Sequence, residues 1–245
     1  MKLRSILITG ASGKLGSQIV KSGLFENIIL PTHKELDLTK PETIKKFLSE
    51  NKIDAVINCA AIARMVVCEK DPAAAIETNI KGTANLVSEI IEQKKENEIR
   101  FIHISTDGVY GGSKGDYSET DAAIPVNKYG WSKLGAECSV NLLPNFCIIR
   151  ARFFDPTENR FNKYPRDLFT SKITISEMVK AISVLLESNF IGTVNVGGER
   201  KSEYQRHKEI NLDISSCMFE ELIKDLKFNI PKDSSLNCNL WKKIK

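Results

Sequence analysis

Residues 6–20 read ILITGASGKLGSQIV, an apolar run that breaks at once into three glycines and resumes with helical spacing. Few folds accept that order. A strand ending in a glycine turn that runs straight into a helix presents unpaired backbone N–H groups and the positive end of the helix dipole to an anion. In an open parallel sheet this is where a pyrophosphate lies. Gly10, Gly13 and Gly16 supply the turn, Ser12 and Lys14 add polar contacts, and Leu15 is carried in the same stretch.

The chain beyond keeps the rhythm that such a loop requires. Strand-like runs fall at residues 4–9, 27–30, 54–60, 99–105 and 146–154. Helical patterns start near residue 14 and cover about 41–50, 72–95 and 127–142. Short β-rich runs separated by helices of 10–15 residues imply βαβ units around a parallel sheet. The expected fold class is therefore α/β, a Rossmann-type doubly wound parallel sheet. After residue 150 the pattern loosens. A connector rich in Pro, Asn and Asp (residues 155–167) precedes a helix start at ITISEMVKAISVLLE, a strand and turn at GTVNVGG, and a lysine-rich tail. The expected division is a dinucleotide-binding domain over residues 1–150 and a small C-terminal substrate lobe over 151–245, interleaved with it.

Composition removes several alternatives. No stretch approaches the ~20 apolar residues needed to span a bilayer, and the short run after MKLR turns into the glycine loop instead of a cleavage site. Cys59, Cys68, Cys138, Cys147, Cys217 and Cys238 include no C-x-x-C pair, and the three histidines lie far apart in sequence. A zinc site or disulfide framework is not expected, and a reducing cytoplasm is. The net charge of +4 is mild, with lysines and glutamates interleaved, so neither nucleic acid nor a membrane is an expected partner.

The cofactor's identity turns on the end of the second strand. An acidic side chain there would hold the ribose hydroxyls of NAD, and basic ones would accept the 2′-phosphate of NADP. Pro31, Thr32, His33 and Lys34 come first, then Glu35 and Asp37. The reading favours NADPH, with NAD as the alternative.

YGWSKLGAE, residues 129–137, places Tyr129 and Lys133 one helical turn apart. A phenol with a pKa near 10 is about three units mistuned for proton transfer at neutral pH, roughly 4 kcal/mol. An ammonium one turn away favours the phenolate. Hydride transfer to a carbonyl needs such a proton donor, because the developing alkoxide must be protonated. Upstream, FIHISTDGVYGG breaks into Ser105, Thr106 and Asp107 at the carboxyl end of a strand, where ligands sit on open α/β sheets.

With the glycine loop, the strand-end hydroxyls and Y-x-x-x-K in this order, residues 3–155 resemble the extended branch of the short-chain dehydrogenase/reductases. STDGVYGG followed by DYSETDAAIPVNKYGWSKLGAE is similar to the dTDP-4-dehydrorhamnose reductase family. NCAA (58–61) looks like that family's turn over the cofactor, and TNIKGTANL (78–86) like its following helix. The resemblance implies a catalytic trio of Thr106, Tyr129 and Lys133. It implies cofactor contacts from the glycine loop, His33, Asp37, Leu38, Cys59, Ala60, Ala61, Asn79, Tyr129 and Lys133. Substrate contacts would come from Ser105, Thr106, Asp107 and Arg152. It allows a homodimer and a metal, although no ligand cluster for a metal is evident.

The match thins on the substrate side. Ile62 and Val66 stand where the family has tyrosine and aspartate, Glu69 is kept, and Gly108 replaces an aromatic. Gly108 also stands where the related dehydratases carry a glutamate acid/base, and a glycine cannot do that chemistry. The expected function is NAD(P)H-dependent reduction of a keto group on a sugar nucleotide. Two alternatives stay open. One is a sugar-nucleotide epimerase with tightly bound NAD, since RFFDP (152–156) resembles the segment those enzymes carry. The other is a non-catalytic NADP-binding subunit similar to the methionine adenosyltransferase β subunit. Residues 107–126 are long for a connector and are expected to form a substrate lid.

Overall fold

The computed structural model describes residues 5–158 and 161–245. Arg4, at the start of the expected first strand, and Asn159 and Arg160, within the expected connector, lie outside the described residues. Five strands, β1 (Ile6–Thr9), β2 (Ile28–Ile29), β3 (Ala55–Asn58), β4 (Arg100–Thr106) and β5 (Phe146–Ala151), join a sixth at Gly192–Val196 in one sheet. From one edge the order is β2, β1, β3, β4, β5 and the sixth strand, and every pairing is parallel. The chain winds outward in both directions from β1, so the gap between β1 and β3 is the topological switch point where such sheets bind ligands.

Parallel strands are covered on both faces, which is why these runs are apolar almost without interruption. On one face Leu7, Val56, Phe101 and Ile148 pack against Leu48 of α2 (Pro41–Glu50) and Ile90 and Val140 of two later helices. On the other, Ile8, Ile57, Ile102 and Ile149 meet Ile19 of α1 (Lys14–Lys21) and Met178 and Ile182 of a helix from the second half of the chain. Thr9, Asn58 and His103, polar residues buried side by side on three neighbouring strands, stand out against this background.

A short helix, α3 (Met65–Lys70), precedes the expected long one and has no clear sequence signal. The long helix starts at Pro72, capped by Asp71, whose carboxylate accepts from the Ala74 amide at 2.9 Å. It is continuous in direction but not in type: α4 (Pro72–Ala75) passes through a π-helical segment (Ile76–Lys81) into α5 (Gly82–Glu92). Such wide turns collect at functional sites. α6 (Lys128–Val140) begins at an Asn127 cap that accepts from the Gly130 amide at 2.9 Å.

Past residue 150 the chain serves two regions. α7 (Ile175–Glu187), started by a Thr174–Glu177 capping box, covers the α1 face. The GTVNV strand pairs with β5 from Gly192↔Cys147 to Val196↔Ala151, so it extends the main sheet. Around these lie three two-stranded ribbons, pairing Phe153–Phe154 with Ile173–Thr174, Lys163–Pro165 with Ser215–Cys217, and Phe169–Thr170 with Lys201–Ser202. Among the described residues no helix is long and apolar enough to cross a membrane, and no cluster of metal-ligating side chains is present.

Candidate active site

The glycine loop lies where the sequence places it. The Gly13 amide donates to the Gly10 carbonyl at 2.9 Å and closes the turn. At Gly16 a side chain would bring its first carbon 2.3 Å from that same carbonyl and 2.7 Å from Ala11 Cα, so only glycine lets α1 start so close to the loop. Gly13 is the N-cap of α1 and offers no side-chain acceptor, which leaves the first helical N–H groups free to receive an anion. The loop borders a cleft of about 600 Å³ lined also by Ser12, Thr32, His33, Asp37, Leu38 and Ala60.

The remaining expected cofactor residues divide by orientation. Leu15 is buried in the core under α1. Lys14 pairs with Glu158 at 2.7 Å, across the mouth of a second cavity. Cys59 and Ala61 lie in the turn after β3, partly exposed beside Ala60. Asn79 is fully buried in the π-helical segment. Its amide receives the Ile62 N–H at 2.7 Å and donates to the Ile62 carbonyl at 3.1 Å and to Ser132 Oγ at 2.8 Å. It thus ties the turn over the sheet to α6. Asp37 is nearly buried; burial raises its proton affinity, but hydrogen bonds from Thr39 and Lys40 outweigh that and hold the carboxyl below its usual range. His33 is exposed, 3.5 Å from the same carboxylate.

At the end of β4, Thr106 caps a short 3₁₀ turn, its hydroxyl accepting the Gly108 amide at 3.0 Å. α6 approaches this turn at Gly130, where a β-carbon would lie 2.3 Å from the Gly108 carbonyl. That approach sets the Tyr129 phenol beside the Thr106 hydroxyl, which acts to lower the phenol's proton affinity. Lys133 is 3% exposed. Its Nζ lies 3.3 Å from His103 Nε2.

The expected lowering of the tyrosine's proton affinity is corrected: the net shift is upward. Burial pushes the Tyr129 phenol up to about 12, against the opposing Thr106 hydrogen bond and Arg152 charge. Burial likewise brings Lys133 down to about 8, with Glu137 and Cys59 acting in the other direction. Tyr129 thus holds its proton at neutral pH and is arranged as a donor.

The expected substrate residues are not equivalent. Ser105 donates to the Glu137 carboxylate, which Arg150 grips through Nη2 at 2.6 Å and Nε at 3.1 Å, so its hydroxyl is committed to a buried ion pair. Asp107, also buried, accepts Arg152 Nε at 2.8 Å and Ser234 Oγ at 2.7 Å. Arg152 and Asp107 form the wall beside Tyr129, and both influence its proton affinity.

Residues 107–126, the expected lid, are tied to the C-terminal segment. Tyr110 and Tyr117 stack with ring centres 4.6 Å apart. The Tyr117 hydroxyl accepts the Gly112 and Ser113 amides at 2.9 and 3.0 Å. The Tyr117 amide donates to the Ser235 carbonyl at 2.9 Å, and its carbonyl receives Asn237 N–H at 2.8 Å. The C-terminal segment thus stitches the loop down. Sequence reasoning missed His103, Asn58, Glu137 and Ser234. A histidine inside the apolar run IRFIHIS was a visible signal for the first of these; nothing local marks Ser234.

The second cavity, about 380 Å³, opens between Lys14 and the C-terminal ribbons. Tyr164 and His207 stack on its wall at 3.8 Å, and Lys172 pairs with Glu203 at 2.5 Å.

The family model described as the RmlD substrate binding domain matches residues 4–177. A dTDP-4-dehydrorhamnose reductase from Burkholderia thailandensis is 37% identical over 137 residues, 55% of this chain and 45% of that protein. A probable low-salt glycan biosynthesis reductase, Agl14 of Haloferax volcanii, is 35% identical over 161 residues, 60% of this chain and 52% of the other. The chain thus spans about half the length of these curated relatives. The crystal structure of a hypothetical dTDP-4-dehydrorhamnose reductase from Sulfolobus tokodaii superposes with a TM-score of 0.86 at 28% identity, covering 98% of this chain and 94% of that one. With the parallel sheet, the glycine loop and the Thr106–Tyr129 contact in place, the chain belongs to the RmlD substrate binding domain family, within the extended short-chain dehydrogenase/reductases.

Proposed function

We propose that the chain is an NAD(P)H-dependent reductase of a keto group on a nucleotide sugar. The observation that carries this reading is the meeting of Thr106 and Tyr129 at the carboxyl end of the sheet, with buried Lys133 one turn along. The cradle at Gly16 and the uncapped start of α1 suit a dinucleotide pyrophosphate. NADPH is preferred, because Asp37 spends its carboxylate on Thr39 and Lys40, while His33 and Lys21 border the cleft. The nicotinamide, when bound, supplies the hydride. Thr106 donates a hydrogen bond to the substrate oxygen, Tyr129 delivers the proton that the oxygen takes up, and the Lys133 ammonium holds negative charge near the phenol. The nucleotide half fits the second cavity, where stacked aromatic rings and Lys14 and Lys163 suit a base and its phosphates. Six free thiols fit work in a reducing cytoplasm.

Purified protein mixed with NADPH and a dTDP-4-keto-6-deoxy sugar should lose absorbance at the reduced-nicotinamide band. The rate should fall as pH rises through about 8, where the Lys133 ammonium is lost. No loss with any 4-keto sugar nucleotide overturns the reductase reading. Tightly held oxidised cofactor with substrate interconversion would point to an epimerase. Gly16→Ala, by pushing the loop off α1, is expected to weaken NADPH binding at least about tenfold, ~1.4 kcal/mol, in a calorimetric titration; unchanged affinity would reject the cradle.

A further inference from the structure

Strand register places Thr9, Asn58 and His103 side by side across β1, β3 and β4. All three are buried, and none belongs to the glycine loop or the proton-donating pair. Thr9 Oγ1 lies 2.6 Å from Asn58 Oδ1, and Asn58 Nδ2 lies 3.2 Å from both His103 Nδ1 and Thr83 Oγ1 of α5. At the far end His103 Nε2 meets Lys133 Nζ at 3.3 Å. A polar row thus runs under the cofactor turn and ends on the buried lysine of α6.

The row carries one donor too many. With Nδ2 of Asn58 facing one ring nitrogen and an ammonium facing the other, His103 would accept at both, and a neutral imidazole accepts at only one. A charged imidazole is disfavoured, since burial and the nearby Lys133 hold His103 well below its ordinary range. Two arrangements remove the conflict. In one, the Asn58 amide is half-turned, its oxygen accepting from His103 Nδ1–H and Thr83 and its NH₂ donating to Thr9. Hydroxyls can serve either amide end, so the amide and both ring nitrogens are satisfied. In the other, Lys133 is a neutral amine that accepts from Nε2–H.

We propose the first: His103 is the positioning residue for Lys133, fixed as the Nδ1–H tautomer by Asn58, with bare Nε2 orienting and retaining the ammonium. Burial brings Lys133 down to about 8, which still leaves it a cation at neutral pH. Glu137 lies one turn along α6, and Cys59 follows β3; both raise the lysine's proton affinity. Arg150 of β5 already grips Glu137, so Lys133 is not drawn away to that carboxylate. Near Tyr129, Asp107 and Arg152 pair with each other, and Cys68 of α3 slightly raises the phenol's proton affinity. Glu69 of α3 pairs with Lys128, and Glu77 with Lys81, toward the surface. The consequence for turnover rests on the reductase reading; the tautomer does not.

The test uses the full chain labelled with ¹⁵N. It has three histidines, and His33 is exposed, so His103 is assignable by comparison with His103→Gln. The expected spectrum has protonated Nδ1 and bare Nε2 from pH 6 to 8. The Lys133 titration midpoint, read from its ε-methylene shift, should fall by about one pH unit in His103→Leu and be restored in His103→Gln, whose carbonyl replaces the acceptor. An Nε2–H tautomer, a charged imidazole or an unmoved midpoint in the leucine variant overturns the proposal. Should that variant not fold, the tautomer in the unaltered protein decides. If the chain reduces keto sugars, the alkaline limb of kcat moves to lower pH in His103→Leu. If it reduces none, the reductase reading fails while the spectra still judge His103.

Discussion

Replacing Tyr129 with phenylalanine is expected to slow NADPH-dependent keto reduction by about 10²–10⁴-fold, the usual weight of a general acid, with NADPH affinity changed by less than about twofold. Burial pushes the phenol up to about 12, so at neutral pH essentially every molecule carries the proton that the substrate oxygen needs. The variant keeps the ring and removes only the hydroxyl. Thr106 would retain its bonds to the Gly108 amide and to Asp107, at 3.0 and 3.2 Å, so the strand end has no reason to rearrange. Steady-state kinetics paired with a binding titration separates the outcomes. An unchanged kcat would remove Tyr129 from the chemistry, and a parallel loss of NADPH affinity would make it a binding residue instead. Thr106→Val should follow in the same direction with a smaller loss, since a hydrogen bond to the oxygen is weaker help than a proton.

What could be read from the chain in advance was local. The glycine turn at residues 10–16, the apolar strands and the Tyr129–Lys133 spacing each lie within one strand or one helical turn, and each appears where the sequence puts it. What could not be read is set by register and by distant contacts. Ser105 and Thr106 are adjacent hydroxyls in one motif, yet one reaches the Glu137 carboxylate and the other Tyr129. Residues 107–126 have the length of a lid, but the partner that fixes them, the segment around Ser235, comes 119 residues after Asp116. Lys133 has a legible spacing to the phenol, but nothing local shows that its Nζ also meets His103 of β4. GTVNVGG carries every mark of a strand and no mark of which sheet it joins.

The same dependence on distant partners makes the buried Glu137–Arg150 pair a sensitive part of the scaffold. Arg150→Met is expected to destabilise the fold by about 3–5 kcal/mol, because it leaves a buried carboxylate without its counter-charge. At roughly 2–4 °C per kcal/mol for a chain of this size, the melting temperature should fall by about 6–20 °C. Glu137 is 2% exposed, and among the described residues its carboxylate is bonded by Ser105 besides the guanidinium. Arg150 also donates to the Tyr110 hydroxyl at 2.9 Å and lies over its ring at 5.2 Å, so its loss loosens the wall formed by residues 107–126. Changing both partners to methionine should recover much of the loss, since no charge is then stranded. If the double variant melts as low as the single one, packing rather than charge explains the effect. In the single variant the freed carboxylate lies one turn from Lys133 and competes with His103 for the ammonium, so residual keto reduction should fall further than the loss of folded protein accounts for.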